Sequence, residues 1–311
     1  MHVNLTGRVA IVTGAGGGLG REHALLLARL GAKVVVNDLG SGLHGEGASA
    51  SAAERVAAEI IAAGGEAFAS PASVTDYEQV QQMVADALAR WGKVDILVNN
   101  AGIIRDKSFA KMDLADFRLV VDVHLMGAVN CTKAVWDVMR AQNYGRIVMT
   151  TSSSGLFGNF GQSNYAAAKL ALVGLMQVLA IEGAKNNIRV NCIAPTAATR
   201  MMDGLLAPEA IAILQPGAAS PAVAVLAAED APTRMILCAG GGSFEASYVT
   251  LTEGIYLGMG DRVCHELSRR LGEVANRTVE TIPDNAFRQG DVELRKAKAA
   301  GALGSREANN A

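Results

Sequence analysis

An α/β fold, a doubly wound parallel sheet of about seven strands with helices on both faces, is what this sequence of 311 residues predicts. Three observations carry the prediction. Short apolar, β-branched runs recur at 9–13, 34–37, 67–69, 96–99, 147–151 and 190–193, with a further one near 235–239. Helix-like stretches of about a dozen residues or more separate them, for example 21–30, 52–63, 80–91 and 166–183. The strands are apolar on both faces, as expected of a sheet covered on both sides. Strands alternating with helices read as βαβ units with right-handed crossovers, which together make a Rossmann-type sheet.

The totals agree with such a fold and exclude others. Half of the residues are hydrophobic and glycine is frequent, which suits close packing of helices on a sheet. A formal net charge of −2 creates no field that would recruit nucleic acid or acidic membrane. Cys131, Cys192, Cys238 and Cys264 are far apart and form no CxxC pair, so a disulfide framework is not expected and a reducing cytoplasm is. The five histidines show no ligand spacing, so no metal site is expected. The segment "MHVNLTGRVAIVTG" lacks the basic and long apolar regions of a signal peptide. No apolar run approaches the ~18–20 residues of a membrane span, and "ANNA" is not a peroxisomal SKL-type address.

Residues 1–245 read as one catalytic domain, with a substrate lid at about 196–218 that carries Met201, Met202, Leu205, Leu206, Ile211 and Leu214. Residues 246–311 read as an extension suited to dimer or lid contacts, with one helix over 260–277 and a frayed, charged tail over 295–311.

The first strand runs into "TGAGGGLG", with Gly14, Gly18, Leu19 and Gly20 leading into a helix. The spacing is TGxxxGxG; the commoner GxGxxG would need glycine where Leu19 stands. Glycine allows a positive-φ turn and close approach to a pyrophosphate, and the helix N-terminus adds free N–H donors. A flexible turn is the plainer alternative, but the place between a strand and a helix favours dinucleotide binding. The second strand leads to Asp38, whose carboxylate suits the ribose hydroxyls of an adenosine half and repels a 2′-phosphate. Neither Ala15 nor Leu39 supplies an offsetting cation, so NAD is expected over NADP; an aspartate that caps the turn is the alternative.

"SNYAAAK" places Tyr165 and Lys169 at i and i+4, on one helix face. A free tyrosine titrates near ~10, and service as a base near pH 7 needs a drop of ~3 units, or ~4 kcal/mol. One cation about 4 Å away at an effective dielectric of ~20 supplies ~4 kcal/mol. Lys169, helped by the positive nicotinamide of oxidised cofactor, is therefore expected to lower the Tyr165 pKa. Ser152, at the end of the fifth strand, stands where such a sheet places ligands and is expected to steady a substrate oxygen. An isolated YxxxK would be a surface pair; the glycine loop, Asp38 and Ser152 favour a proton-handling site.

Taken in order, "TGAGGGLG", "NNAG" (99–102), Ser152, "YAAAK" and the Pro195 region resemble the short-chain dehydrogenase/reductase family over residues 5–245. A finer resemblance, in "VVVNDLG", "NNAGIIRDKSFAKM", "VHLMGA" and "IEGAKNNIRVNCIAP", is to the dehydrogenase domains of peroxisomal multifunctional enzymes. It implies an NAD-dependent secondary-alcohol dehydrogenase acting on a 17β-hydroxysteroid or a (3R)-3-hydroxyacyl-CoA. It implies Tyr165 as general acid/base, Lys169 as the group that lowers its pKa and holds the nicotinamide ribose, and Ser152 as the group that orients the substrate oxygen. Asn100, Ala101 and Gly102 are implied beside the cofactor after strand four. Val74 is implied at adenine through its backbone, and Ile193, Pro195 and Thr199 at the nicotinamide end. A homodimer or homotetramer built on the long helices around 112–139 and 165–183 is implied as well.

Three positions depart from the wider family pattern. His124 in "DVHLMG" stands where an asparagine of the proton relay is usual; an imidazole can keep such a relay, and a structural hydrogen bond is the alternative. Ser73 stands for an aspartate that contacts adenine, and Thr196 for a glycine after Pro195. The lid suits a sterol, whereas Arg105, Lys107, Lys111 and Arg200 suit the phosphates of an acyl-CoA. Two other readings compete. Asp38 opposes an NADPH-dependent carbonyl or 3-oxoacyl reductase, and the intact Ser152, Tyr165 and Lys169 oppose a non-catalytic dinucleotide-sensing protein.

Overall fold

The structure, a computed structural model, describes residues 3–40, 42, 44, 46, 51–198 and 207–301. Seven parallel strands run in the order β3 (Ala67–Ser70), β2 (Lys33–Asn37), β1 (Val9–Thr13), β4 (Ile96–Asn99), β5 (Gly145–Thr150), β6 (Ile188–Pro195) and β7 (Ile236–Gly240). The order reverses between β1 and β4, whose registered pairs include Ile11 with Leu97. A crevice opens at the carboxyl edge of such a reversal, and ligands bind there.

Successive residues of each strand feed opposite layers. Ala10, Val12, Val34, Val36, Ile96 and Val98 pack with α1 (Gly18–Arg29), α2 (Ser51–Ala62) and α9 (Ser220–Leu226). Ile11, Val35, Leu97, Ile147 and Met149 pack with α3 (Tyr77–Trp91), α5 (Gly127–Gln142) and α7 (Ser163–Gly183). Apolar side chains on both faces are therefore required, which is why these strands lack alternation. Local chemistry sets the helix ends. Asp76 caps α3 by accepting from the Gln79 N–H, and Gly92 closes it in the left-handed region at φ 76°. In the layer that holds α1 and α9, buried His23 joins the two through Nδ1, 2.8 Å from Ser220 Oγ.

An eighth strand, β8 (Ser243–Ser247), pairs antiparallel with β7 and was not expected from the sequence. Its residues are mostly exposed, so it lacks the apolar signature of the others. Gly241 and Gly242, both at positive φ, make the two-residue turn between the strands.

Two compact units divide between Ser247 and Tyr248. In the second, the expected helix over 260–277 is two short ones, α10 (Val263–Arg269) and α11 (Leu271–Val274), interrupted at Arg270 in a non-helical conformation. The expected frayed tail begins inside a helix, α12 (Phe287–Ala299), whose only buried residue is Val292, and its last residues, 302–311, lie outside the described residues. A helix with so little apolar face gives no periodic signal. Strands β9 (Leu251–Thr252) and β10 (Glu280–Thr281) pair antiparallel within this unit.

The expectation that no apolar run approaches a membrane span needs correction. Residues Ser163–Asn186, which include α7, are long and apolar enough by length and composition, with a mean hydropathy of 1.5. The apolarity has a packing cause: Leu172, Val173, Met176 and Ala180 lie in the core against the sheet. Asn164 and Lys169 are buried on the same helix.

Candidate active site

The loop after β1 turns at Gly14 (φ 64°) and Gly18 (φ 53°), and its last glycine is fixed by contact. A Cβ at Gly20 would lie 2.2 Å from the Gly14 carbonyl oxygen. The loop is tied to the end of β4. Thr13 Oγ1 accepts from the N–H groups of Asn100 and Ala101 at 2.9 and 3.0 Å, while Asn100 Nδ2 donates to the carbonyls of Thr13 and Gly14. After β2, Asp38 Oδ2 accepts from the Gly16 N–H at 2.8 Å and Oδ1 from the Gly40 N–H at 2.7 Å. Asn130 of α5 donates to the Val74 carbonyl at 2.9 Å and so holds that turn.

Ser152 lies two residues beyond the end of β5 and caps α6 (Ser153–Phe157), its Oγ accepting from the Ser154 N–H at 3.2 Å. Opposite it, α7 presents Tyr165 and, one turn on, Lys169. The Lys169 ammonium donates to the Thr150 carbonyl at 2.6 Å, and its Nζ lies 5.5 Å from the Tyr165 ring centroid. Asn164 anchors the start of α7: its Nδ2 donates to the Arg105 carbonyl at 3.0 Å and its Oδ1 accepts from the Tyr165 N–H.

His124 occupies a π-helical turn, Asp122–Met126, between α4 (Leu114–Val121) and α5. Such bulges turn one side chain out of the helical register, often at functional sites. Here the imidazole meets the Tyr165 ring edge-on, with centroids 5.1 Å apart. Nε2 lies 2.7 Å from the Ile103 carbonyl and 3.1 Å from its N–H. Gly102 lies against the ring: a Cβ there would fall 2.2 Å from His124 Cε1. Gly102→Ala therefore displaces the imidazole from Tyr165. The expected outcome is a fall in turnover of about tenfold or more, with an intact circular dichroism spectrum; unchanged turnover would show that the imidazole position is immaterial.

Burial dominates the electrostatics of these groups. The Tyr165 phenol is pushed up from its ordinary value by desolvation, a hydrogen bond with Ser152 pulls it down, and the Asp106 carboxylate raises it again. Lys169 is pushed down to about 7, because its ammonium is buried. Desolvation thus opposes the charged form of both groups. Burial, then the nearby Lys169, holds His124 well below the usual imidazole range, so it is neutral near pH 7.

The residues singled out in the sequence as catalytic or cofactor-facing, Ile193 and Thr199 aside, line one cavity of about 1170 Å³, while Ile193 is buried in the core. Thr199 lies outside the described residues, as do Arg200, Met201, Met202, Leu205 and Leu206. The cavity continues past Tyr165 to Phe157 and Phe160, which are 71% and 90% exposed. The cations expected near its mouth are partly engaged. Arg105 and Lys107 both pair with Asp116, and Arg105 also reaches Glu46. Sequence reasoning read Thr13 only as the first residue of the TGxxxGxG loop and did not reach Asn130 or Asn164; their contacts with Ala101, Val74 and Arg105 lie 88, 56 and 59 residues away along the chain. Of the latter two, only Asn164, immediately before Tyr165 in "SNYAAAK", had a local signal.

Comparison with known proteins agrees with this geometry. Residues 8–209 match the family model described as short chain dehydrogenase. The peroxisomal multifunctional enzyme type 2 of Drosophila melanogaster is 55% identical over 223 residues, which are 72% of this chain and 37% of that protein. A solved structure of the full-length Drosophila melanogaster enzyme superposes with a TM-score of 0.79 at 37% identity, covering 96% of this chain and 50% of that one. This chain thus spans half or less of the length of those relatives. A 7α-hydroxysteroid dehydrogenase solved with NADH and 7-oxo glycochenodeoxycholic acid superposes with a TM-score of 0.70 at 33% identity, covering 78% of this chain and 96% of that one. With most of its first unit matched in sequence, and its relatives alike in fold, this chain belongs to the short-chain dehydrogenase family and is an oxidoreductase acting on CH–OH groups.

Proposed function

We propose that this protein is an NAD-dependent dehydrogenase that oxidises a secondary alcohol to a ketone on a bulky apolar substrate, either a 17β-hydroxysteroid or a (3R)-3-hydroxyacyl-CoA. The observation that carries the reading is that Ser152, Tyr165 and Lys169 line the same cavity as the glycine loop and Asp38. The residues fit a nicotinamide dinucleotide: glycines leave backbone N–H groups open to a pyrophosphate, and Asp38 offers acceptors for ribose hydroxyls. Such a cofactor supplies hydride acceptance when bound. The solved hydroxysteroid dehydrogenase, with its NADH and bile-acid ligand, supports both the cofactor and a steroid-sized substrate.

Each residue has a distinct task. Ser152 Oγ holds the substrate hydroxyl, and Tyr165 Oη takes its proton. Lys169, fixed by the Thr150 carbonyl, carries its charge increasingly as pH falls through about 7, and that charge steadies the phenolate. His124 packs edge-on against Tyr165 and orients the ring. Phe157 and Phe160 offer apolar faces at the mouth. The pairing of Arg105 and Lys107 with Asp116 weakens the argument that these two hold coenzyme A phosphates.

The test is NAD reduction, followed at the absorbance of NADH, with 17β-hydroxysteroids, (3R)-3-hydroxyacyl-CoA thioesters and simple secondary alcohols. Turnover of a bulky substrate above the simple alcohols is expected. Binding of NADH with no turnover of any alcohol would favour the dinucleotide-sensing alternative.

Self-association is part of the same proposal. Leu170, Val178 and Ile181 of α7 are each about half exposed, an apolar face that a second copy would cover. Sedimentation equilibrium is expected to give a dimer or tetramer, and a monomeric mass would remove this element.

A further inference from the structure

We propose that Arg55 is a second determinant of cofactor specificity: it is the cation positioned to take a 2′-phosphate, so that rejection of the phosphorylated dinucleotide rests on Asp38 alone. The inference depends on the dinucleotide reading above and concerns which dinucleotide the adenosine end accepts.

Three placements set Arg55 beside that end. A Cβ at Gly16 would lie 2.8 Å from both Asp38 Oδ2 and the Ala52 Cβ, so the Asp38 carboxylate and the first turn of α2 close on the same point. Ala52 and Arg55 are i and i+3 on α2, which makes their Cβ atoms neighbours at about 5–6 Å. Asp38, Ala52 and Arg55 all line the cavity. The Arg55 side chain is long enough to cover that separation, and it is exposed. Its Nη1 donates to Ser51 Oγ at 3.3 Å, and it forms no ion pair with a carboxylate among the described residues.

The two charges are not paired with each other. Asp38 is stabilised by the backbone N–H groups of Gly16 and Gly40, one on each oxygen. The adenosine end therefore holds an anion fixed by the backbone and a cation free of any acid. A ribose with two hydroxyls needs only the anion. A 2′-phosphate meets repulsion from Asp38 and attraction from Arg55, whose planar guanidinium suits phosphate oxygens. Neutralising Asp38 leaves the attraction unopposed.

The experiment is isothermal titration of the full chain with ADP and with adenosine 2′,5′-bisphosphate, which probe the adenosine end without turnover. Asp38→Asn is expected to raise affinity for the bisphosphate relative to ADP by about tenfold, the size of one charge-assisted hydrogen bond. In the Asp38→Asn, Arg55→Ala double variant that gain is expected to fall below about twofold. A gain over the parent protein as large in the double variant as in Asp38→Asn, or none in Asp38→Asn alone, overturns the assignment. Arg55→Ala in the parent protein, on an exposed helix surface, gives a second readout independent of any folding defect at position 38. It should weaken the bisphosphate and leave ADP within about threefold; equal loss of both ligands would also overturn the role. If ADP fails to bind the parent protein, the dinucleotide reading itself falls, and that result is distinct from either outcome above.

Discussion

Tyr165→Phe is expected to lower kcat by about 10²–10⁴, the range typical of losing a positioned acid/base. Dinucleotide affinity is expected to stay within about threefold of the parent, because the substitution removes one oxygen and almost no volume. The ring that packs edge-on against His124 is kept, and Lys169 keeps its bond to the Thr150 carbonyl. What disappears is the oxygen whose proton affinity is set by burial, by Ser152 and by Asp106. Kinetics with the best substrate of the alcohol screen, beside titration with NADH, separate the two effects. A variant with parental kcat would show that another group moves the proton. A variant that loses NADH affinity in step with kcat would assign Tyr165 to binding.

The second large effect concerns stability in acid. The His23 imidazole is pushed down to about 3 by burial, from an ordinary value of 6.5. Below pH 6.5 the unfolded chain takes up a proton that the folded chain refuses, so stability falls as pH drops. The loss continues until pH reaches the folded value of about 3. At about 1.4 kcal/mol per pKa unit the full loss is roughly 5 kcal/mol, a large part of the stability of an ordinary domain. His124 shifts in the same direction and adds to the same limb. Lys169 acts at higher pH: its folded value of about 7 lies below its ordinary 10.5, so stability rises with pH between the two. Urea midpoints measured from pH 7.5 to 4 check the claim. His23→Leu is expected to flatten the acid limb, whatever the cost of orphaning Ser220 at neutral pH. The same slope in parent and variant would mean that His23 is reached by solvent protons in the folded state.

Where the residue order carried a strong local signal, the fold followed it. The runs at 9–13 and 96–99 became β1 and β4, buried along their length, because strands covered on both faces need apolar side chains at every position. Exposed elements were the ones overlooked. β8 shows mostly solvated residues, and α12 buries only Val292, so neither has an apolar pattern to read. The break at Arg270 escaped for a related reason, since helix propensity says little about where a polar helix stops.

The candidate site divides in the same way. Glycine spacing, an acid beyond the second strand and YxxxK on a helix are properties of neighbouring residues, and one chain shows them without being folded. The expected lowering of the Tyr165 pKa rests on the charges of Lys169 and of the oxidised nicotinamide, and desolvation acts against it. Burial is a property of the packed protein, and it moves both groups toward their neutral forms. Folding also pairs Arg105 and Lys107 with Asp116, sets His124 against Tyr165 through a π-helical turn, and carries Arg55 to the cavity that Asp38 lines. Apart from the short link between Lys107 and Asp116, these placements follow from how the loops, strands and helices pack. Element type and motif spacing are written in local residue order; the charge that a buried group carries, and the partner it meets, depend on what the rest of the chain brings beside it.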